Sequence, residues 1–186
     1  MNKTAELTLP QEIKGKRINL VWRTHKYDKQ MLFIVNRNRV FLKKYLRWLD
    51  NNKNMQDTIK TTSAMMDKWN NKTQYNYLIT DKNDELIGAI GVANINMLDK
   101  HVELGYWLRQ DKCGHGFMSE AVALLEKALF ARKIRRIEIE CVTSNQPSIN
   151  VAIRNGYVKE CLKKEYFYLN GIYEDAFMFV KMNPKR

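Results

Sequence analysis

The stretch Glu103–Ala121, ELGYWLRQDKCGHGFMSEA, limits this chain more than any other. Leu104, Tyr106 and Leu108 alternate as in a strand, a polar turn follows, and an apolar helical stripe begins. Gly114 and Gly116 stand at the join, where the backbone needs positive φ or close approach. The first amides of a helix have no partner inside it, and the helix dipole adds partial positive charge there. A strand, a glycine-rich turn and a helix start therefore offer a seat for a phosphate or pyrophosphate. Two glycines in a turn do not select that use by themselves, because short motifs recur by chance.

The rest of the chain reads as one domain over residues 1–186, with residues 1–14 a loose lead-in. Apolar residues make up 45% of it, enough for a sizeable core. Arg17–Arg23 has strand alternation, Tyr27–Asn36 and Val40–Leu49 have helical spacing, and the loop 51–54 reads as the least rigid part. Tyr45 and Trp48 in the second helical pattern read first as core residues and second as substrate contacts. Gln56–Asn70 is a helix with Ile59, Met65, Met66 and Trp69 inward. Strands follow at Tyr75–Thr80, Leu86–Ile95 and up to Leu108, an antiparallel meander. A helix over His115–Ala131 then leads to the alternating strand Arg136–Val142, in a parallel crossover. Gln146–Asn155 is a short helix after capping oxygens at Thr143, Ser144 and Asn145, closed by Gly156. Asn170–Gly171 turns a terminal hairpin.

Composition bounds the partners. The net charge of +12 favours acidic partners or phosphates. FLKKYLR and ARKIRR read as solvated helix faces, and no nucleic-acid motif accompanies them, so no dedicated nucleic-acid site is expected. Apolar runs are too short for a membrane span and no secretory leader is recognisable, which makes the cytoplasm the expected compartment. Cys113, Cys141 and Cys161 lack metal-ligand spacing, so no metal is expected. A homodimer is compatible with the pattern, which does not settle the oligomeric state.

The words GYWL, GHGFM and SEA, then TSNQPSINVAIRNGY, then YLNGIYED, occur in an order that resembles the GNAT acetyltransferases. Within them the chain is most similar to the Rim-type branch, which acetylates ribosomal-protein N-termini. Cys113 and Met118 depart from the general phosphate motif of the superfamily. The resemblance implies an α/β (α+β) GNAT fold, a mixed and mostly antiparallel sheet flanked by helices. It implies acetyl-CoA as cofactor and an amine-bearing acceptor, an acidic or ribosomal protein N-terminus. A small amine (polyamine, amino acid or aminoglycoside) is the alternative acceptor, and a non-catalytic acyl-CoA-binding module is the alternative function.

The same resemblance assigns candidate residues. Leu108 and Arg109 would pair with the pantetheine arm, and the amides of Cys113, Gly114, His115, Gly116, Phe117 and Met118 would hold the pyrophosphate. Ser119 would add a hydroxyl. Asn145 would contact the cofactor arm, or simply cap a helix. Ser148 would protonate the departing thiolate, or be an ordinary first-turn serine. Glu165, with Glu103 as its rival, would be the base that an ammonium acceptor requires. Glu138 and Glu140 would face solvent or basic neighbours. Cys141 lies near the expected thioester and reads as a small buried hydrophobe, with direct transfer preferred over a thiol intermediate.

Overall fold

Strict alternation decides the strands and a 3.6-residue stripe decides the long helix. In the strand β6 (Arg136–Val142), Ile137, Ile139 and Cys141 are buried while Arg136, Glu138 and Glu140 are less so. In the helix α4 (Phe117–Ala131), Met118, Ala121, Val122, Leu125 and Leu129 form one buried face. The structure is a computed structural model that describes residues 6–185. Its eight strands form one sheet in the order β1-β2-β3-β4-β5-β6-β8-β7. They are β1 (Glu12–Lys14), β2 (Ile18–Trp22), β3 (Tyr75–Asp81), β4 (Leu86–Asn96), β5 (His101–Leu108), β6, β7 (Val158–Leu169) and β8 (Ile172–Met182). All neighbours are antiparallel except β5 and β6, which α4 connects. This is the mixed, mostly antiparallel sheet that the sequence implies.

One core cluster runs beneath α4 and α5 (Gln146–Arg154) and includes Leu125, Leu129, Ile139, Ile149 and Ala152. A second cluster joins α1 (Asp28–Arg37) and α2 (Arg39–Lys43) to Leu78 and Leu86. The helix α3 (Met55–Asn70) starts with a reciprocal cap between Asn54 and Asp57, which satisfies donors its first turn leaves free.

Three local expectations change. Residues 6–14 are docked rather than loose: Leu7 and Leu9 are 2% and 4% exposed, and β1 pairs with β2. Tyr77 donates its hydroxyl hydrogen to the Pro10 carbonyl at 2.5 Å, which holds that entry segment down. The first five residues of the expected lead-in lie outside the described part. The helix expected over Val40–Leu49 stops at Lys43, and Arg47–Asn51 forms a separate 3-10 turn. Arg39 folds that turn back by donating to the carbonyls of Leu49 (2.8 Å) and Asn52 (2.6 Å). On α3, Ile59 is 44% exposed, and Thr58 and Thr62 are buried in its place. Thr58 donates to Asn52 at 2.9 Å and Thr62 to Asp28 at 2.6 Å, so polar partners set the inner face of that helix.

Replacing Leu7 by Ala removes most of a side chain packed in the main core. Chemical denaturation should show a loss of about 2–5 kcal/mol; a solvated lead-in would show none.

Candidate active site

The two parallel strands stay together for only part of their length. β5 pairs with β6 from His101↔Arg136 to Leu104↔Ile139. Beyond that point β5 continues against β4 alone (Gly88↔Leu108) and β6 against β8 alone (Val142↔Ala176). Two hollows open at the parting. One, of about 390 Å³, runs from Trp107 and Leu108 past Cys113–Ser119 to α5. The other, of about 420 Å³, is lined by Glu103, Glu140, Trp48 and Phe167 among others. Tyr45, Leu46, Tyr106, Asn145 and Ser148 line both, so the hollows meet there.

The first hollow ends in a cradle of main-chain donors. Gly114 and Gly116 take φ of 82° and 78°, and Gly116 caps α4. The helix therefore starts at Phe117, two residues later than the apolar pattern indicates. Among the described residues, the amides of Gly114 to Ser119 donate to no carbonyl and to no side chain. The Ser119 hydroxyl is buried without a partner in the same wall. A buried orphan hydroxyl beside free amides at a helix N-terminus fits a phosphate-bearing ligand.

Arg17 holds the cradle open from behind. Its backbone amide and Nε donate to Glu120 at 2.9 and 2.8 Å, and Nη1 donates to the His115 carbonyl at 2.8 Å. Its guanidinium also lies 4.9 Å from the centre of the Phe117 ring.

Two assigned main-chain contacts are closed. The Cys113 amide donates to the Gln110 carbonyl at 3.2 Å, so the cradle begins at Gly114. The Arg109 amide donates to Ile87 at 3.0 Å, and its guanidinium is paired with Asp111 and Glu85. Alternation then turns the Leu108 amide the other way, into the gap left by β6. His115 contributes its backbone only, because its side chain does not line the hollow.

At the junction, three side chains form a chain of contacts. The Ser148 hydroxyl donates to the Tyr106 hydroxyl at 3.2 Å, and the Cys141 thiol lies 3.2 Å from the Ser148 hydroxyl. Tyr106 in turn lies 3.3 Å from the Ser148 carbonyl, to which it donates. Ser148 is placed there because the Asn145 side chain accepts its amide hydrogen at 3.3 Å and starts α5. Asn145 is thus both a cap and a lining residue of the two hollows. Burial pushes the Cys141 thiol up to about 11 and also raises Tyr106, so both stay protonated at neutral pH.

The carboxylates separate clearly. Glu103 lines the second hollow, where burial first and neighbouring Glu140 second raise its pKa. Asn94 donates to one of its oxygens at 2.6 Å. Asn94 reaches it from an irregularity in β4, where the register with β5 shifts and Asn94 takes φ of 47°. Glu140 lines the same hollow and is paired with Lys163. Glu138 is paired with Arg136 at 2.6 Å.

Glu165 is exposed and outside both hollows. The ladder passes from Lys163↔Ala176 to Phe167↔Glu174, and Glu165 takes φ of 48° in the bulge between. A bulge breaks the two-residue period, so Glu165 and Phe167 do not share a face. Phe167 lines the hollow and Glu165 does not.

Residues 17–158 match the family model described as "Acetyltransferase (GNAT) domain". The chain belongs to the GNAT acetyltransferase family. It is 31% identical over 155 residues to the ribosomal-protein-serine acetyltransferase of Escherichia coli (strain K12), covering 83% of this chain and 86% of the relative. It is also similar to RimL, the ribosomal L7/L12 alpha-N-protein acetyltransferase, solved with coenzyme A disulfide-bonded to a cysteine. That likeness has a TM-score of 0.88 at 28% identity and covers 92% of this chain and 97% of RimL. The microcin C7 self immunity acetyltransferase MccE has a TM-score of 0.89 at 24% identity, over 93% and 97% of the two chains, and shares the fold.

Within this GNAT domain, the sequence reading missed Tyr106 and Arg17 as site residues; Glu140, expected to face solvent or a basic neighbour, does meet Lys163 and also lines the second hollow. Tyr106 had a readable signal, since its strand carries GYWL just before the glycine turn. Arg17 had none: it lies 98 positions from the carbonyl it holds. Glu140 alternates with core residues as a solvent-facing residue would, and only the parting of the strands makes its side a cavity wall.

The three free cysteines differ sharply in setting. Brief iodoacetamide treatment at pH 7.5 should label exposed Cys113 and Cys161 and leave Cys141 unmodified in peptide mass spectra. Labelling of Cys141 at a comparable rate would contradict a protonated, buried thiol.

Proposed function

We propose that this GNAT enzyme transfers an acetyl group from acetyl-CoA directly to the N-terminal α-amine of a protein, with a ribosomal protein as the acceptor class. The observation that carries this reading is the junction of the two hollows at Ser148 and Tyr106, with Glu103 in the second hollow. The likeness to ribosomal-protein acetyltransferases over most of the chain supports a protein acceptor.

Bound acetyl-CoA supplies an acetyl group activated as a thioester. The amides of Gly114 to Met118 and the Ser119 hydroxyl would hold its pyrophosphate. The Leu108 amide faces the gap and would pair with the pantetheine arm. Glu103, with its proton affinity raised by burial and by Glu140, takes a proton from the acceptor ammonium. Ser148, whose hydroxyl donates to Tyr106, would give a proton to the departing sulfur and regain one from the nitrogen as it becomes an amide. Cys141 stays a neutral thiol and takes no acetyl group, because a thiolate would be needed for attack.

Thiol release with N-terminal peptides, polyamines and aminoglycosides tests the acceptor class. Peptides should turn over, and turnover of polyamines alone would overturn the protein reading. Glu103→Gln should lower kcat/KM by about 10²–10⁴-fold with coenzyme A affinity unchanged. A larger loss in Glu165→Gln would return the role to that residue. The active form of Glu103 is the carboxylate, so kcat/KM should fall as pH drops through its raised pKa. The acid limb of the profile should therefore lie above the usual carboxylate range and vanish in Glu103→Gln.

Gly116 holds φ of 78° beside the Arg17 guanidinium. Gly116→Val strains that turn and covers the amides, so calorimetry should show no coenzyme A binding by a variant whose circular dichroism is native. Normal binding would place the pyrophosphate elsewhere.

A further inference from the structure

The second hollow is electrically two-sided. Glu103 and Glu140 are the acids among its lining residues, and Arg47 is the one cation. Lys163 sits on Glu140, which leaves Glu103 as the carboxylate with no cationic partner.

Among the described residues Arg47 and Lys44 both lack a carboxylate partner, and of the two only Arg47 lines the hollow. Lys43 is paired with Asp50 at 2.9 Å and Lys164 with Asp175 at 2.8 Å, whereas Arg47 has no carboxylate partner among the described residues. Its guanidinium lies 5.5 Å from the centre of the Phe167 ring, which belongs to the opposite wall. That cation–π contact leaves the guanidinium N–H donors without a carboxylate among the described residues. The turn that carries it is braced. Arg39 holds the carbonyls of Leu49 and Asn52, and Trp48 packs against Trp107 at a tilt of 49° with ring centres 6.1 Å apart. An exposed arginine on a braced turn, with no carboxylate partner among the described residues, is set to receive a planar anion.

We propose, on the reading that this hollow receives the acceptor, that Arg47 binds a carboxylate on the acceptor itself. The acceptor is then a protein N-terminus with Asp or Glu at its second or third position. The α-amine goes to Glu103, and an extended chain advancing about 3.5 Å per residue carries its second or third side chain toward exposed Arg47. Glu103 is half-buried and Arg47 exposed, so an ammonium inward and a carboxylate outward match the settings of the two side chains. A polyamine would place a second cation against Arg47 and is disfavoured by like-charge repulsion.

The test is steady-state kinetics on hexapeptides with a common first residue, carrying Glu, Gln or Lys at positions two and three. Wild type should prefer Glu over Gln by roughly tenfold or more in kcat/KM, mainly through KM, the size of one charge-assisted hydrogen bond. Arg47→Met should erase that preference, and Arg47→Glu should reverse it in favour of Lys. Coenzyme A affinity should be the same in all three proteins, since Arg47 does not line the cofactor hollow.

Equal rates for Glu, Gln and Lys peptides in wild type would overturn the Arg47 assignment and leave the N-terminal acetyltransferase reading standing. A Glu preference that survives in Arg47→Met would do the same. Turnover of free amines with none of any peptide would sink both. Weaker coenzyme A binding in Arg47→Met would move the residue to the cofactor and overturn the assignment.

Discussion

The parting of β5 from β6 is the constraint on which the rest of the molecule depends. A sheet that loses a neighbour mid-strand leaves main-chain donors and acceptors without partners, and such groups are costly when buried. Here they stay because each strand keeps its other neighbour, β4 for β5 and β8 for β6, so the sheet survives the gap. The gap is then a ready-made backbone edge for an extended ligand. α4 follows directly from β5 through the glycine turn, and so its free amides lie in line with that edge. One covalent connection thus places the strand edge and the anion cradle on the same ligand path.

Burial acts on two neighbouring groups with opposite consequences. It raises the proton affinity of both Glu103 and the Cys141 thiol, because low dielectric disfavours each charged form. For the carboxylate, the shift moves it toward the range where a base can accept a proton from an ammonium and still be ionised. For the thiol, which starts higher, the same shift removes it from thiolate chemistry. The two residues face opposite sides of the sheet, as their alternation with Leu104 and Ile139 requires, and so they do not compete for one proton.

Some of this was legible residue by residue. TSNQPSIN announced a capped helix, and Asn145 does accept from the Ser148 amide. GHG announced positive φ at both glycines. Arg136–Val142 showed its strand by alternation alone. Elsewhere local pattern misled. Glu165 and Phe167 share a face in any regular strand, but three residues, Lys164 to Tyr166, stand opposite Asp175 alone, and the face changes. Val40–Leu49 has helical spacing, but Arg39 donates to the carbonyls of Leu49 and Asn52, which a continuous helix would carry out of its reach. Periodicity reports the burial preferred by each side chain and is silent about hydrogen bonds made ten residues away.

The sequence by itself determined the order of elements, the glycine turn and the family, because these follow from short-range backbone preference and from words of adjacent residues. Tertiary structure alone decided which carboxylates line the second hollow, which helix-start amides remain free and which arginine faces that hollow. Those properties depend on partners far apart in the chain, such as Arg17 with His115 or Arg47 with Phe167. No local pattern encodes them, since a charge or a donor is available only when the folded neighbours have left it so.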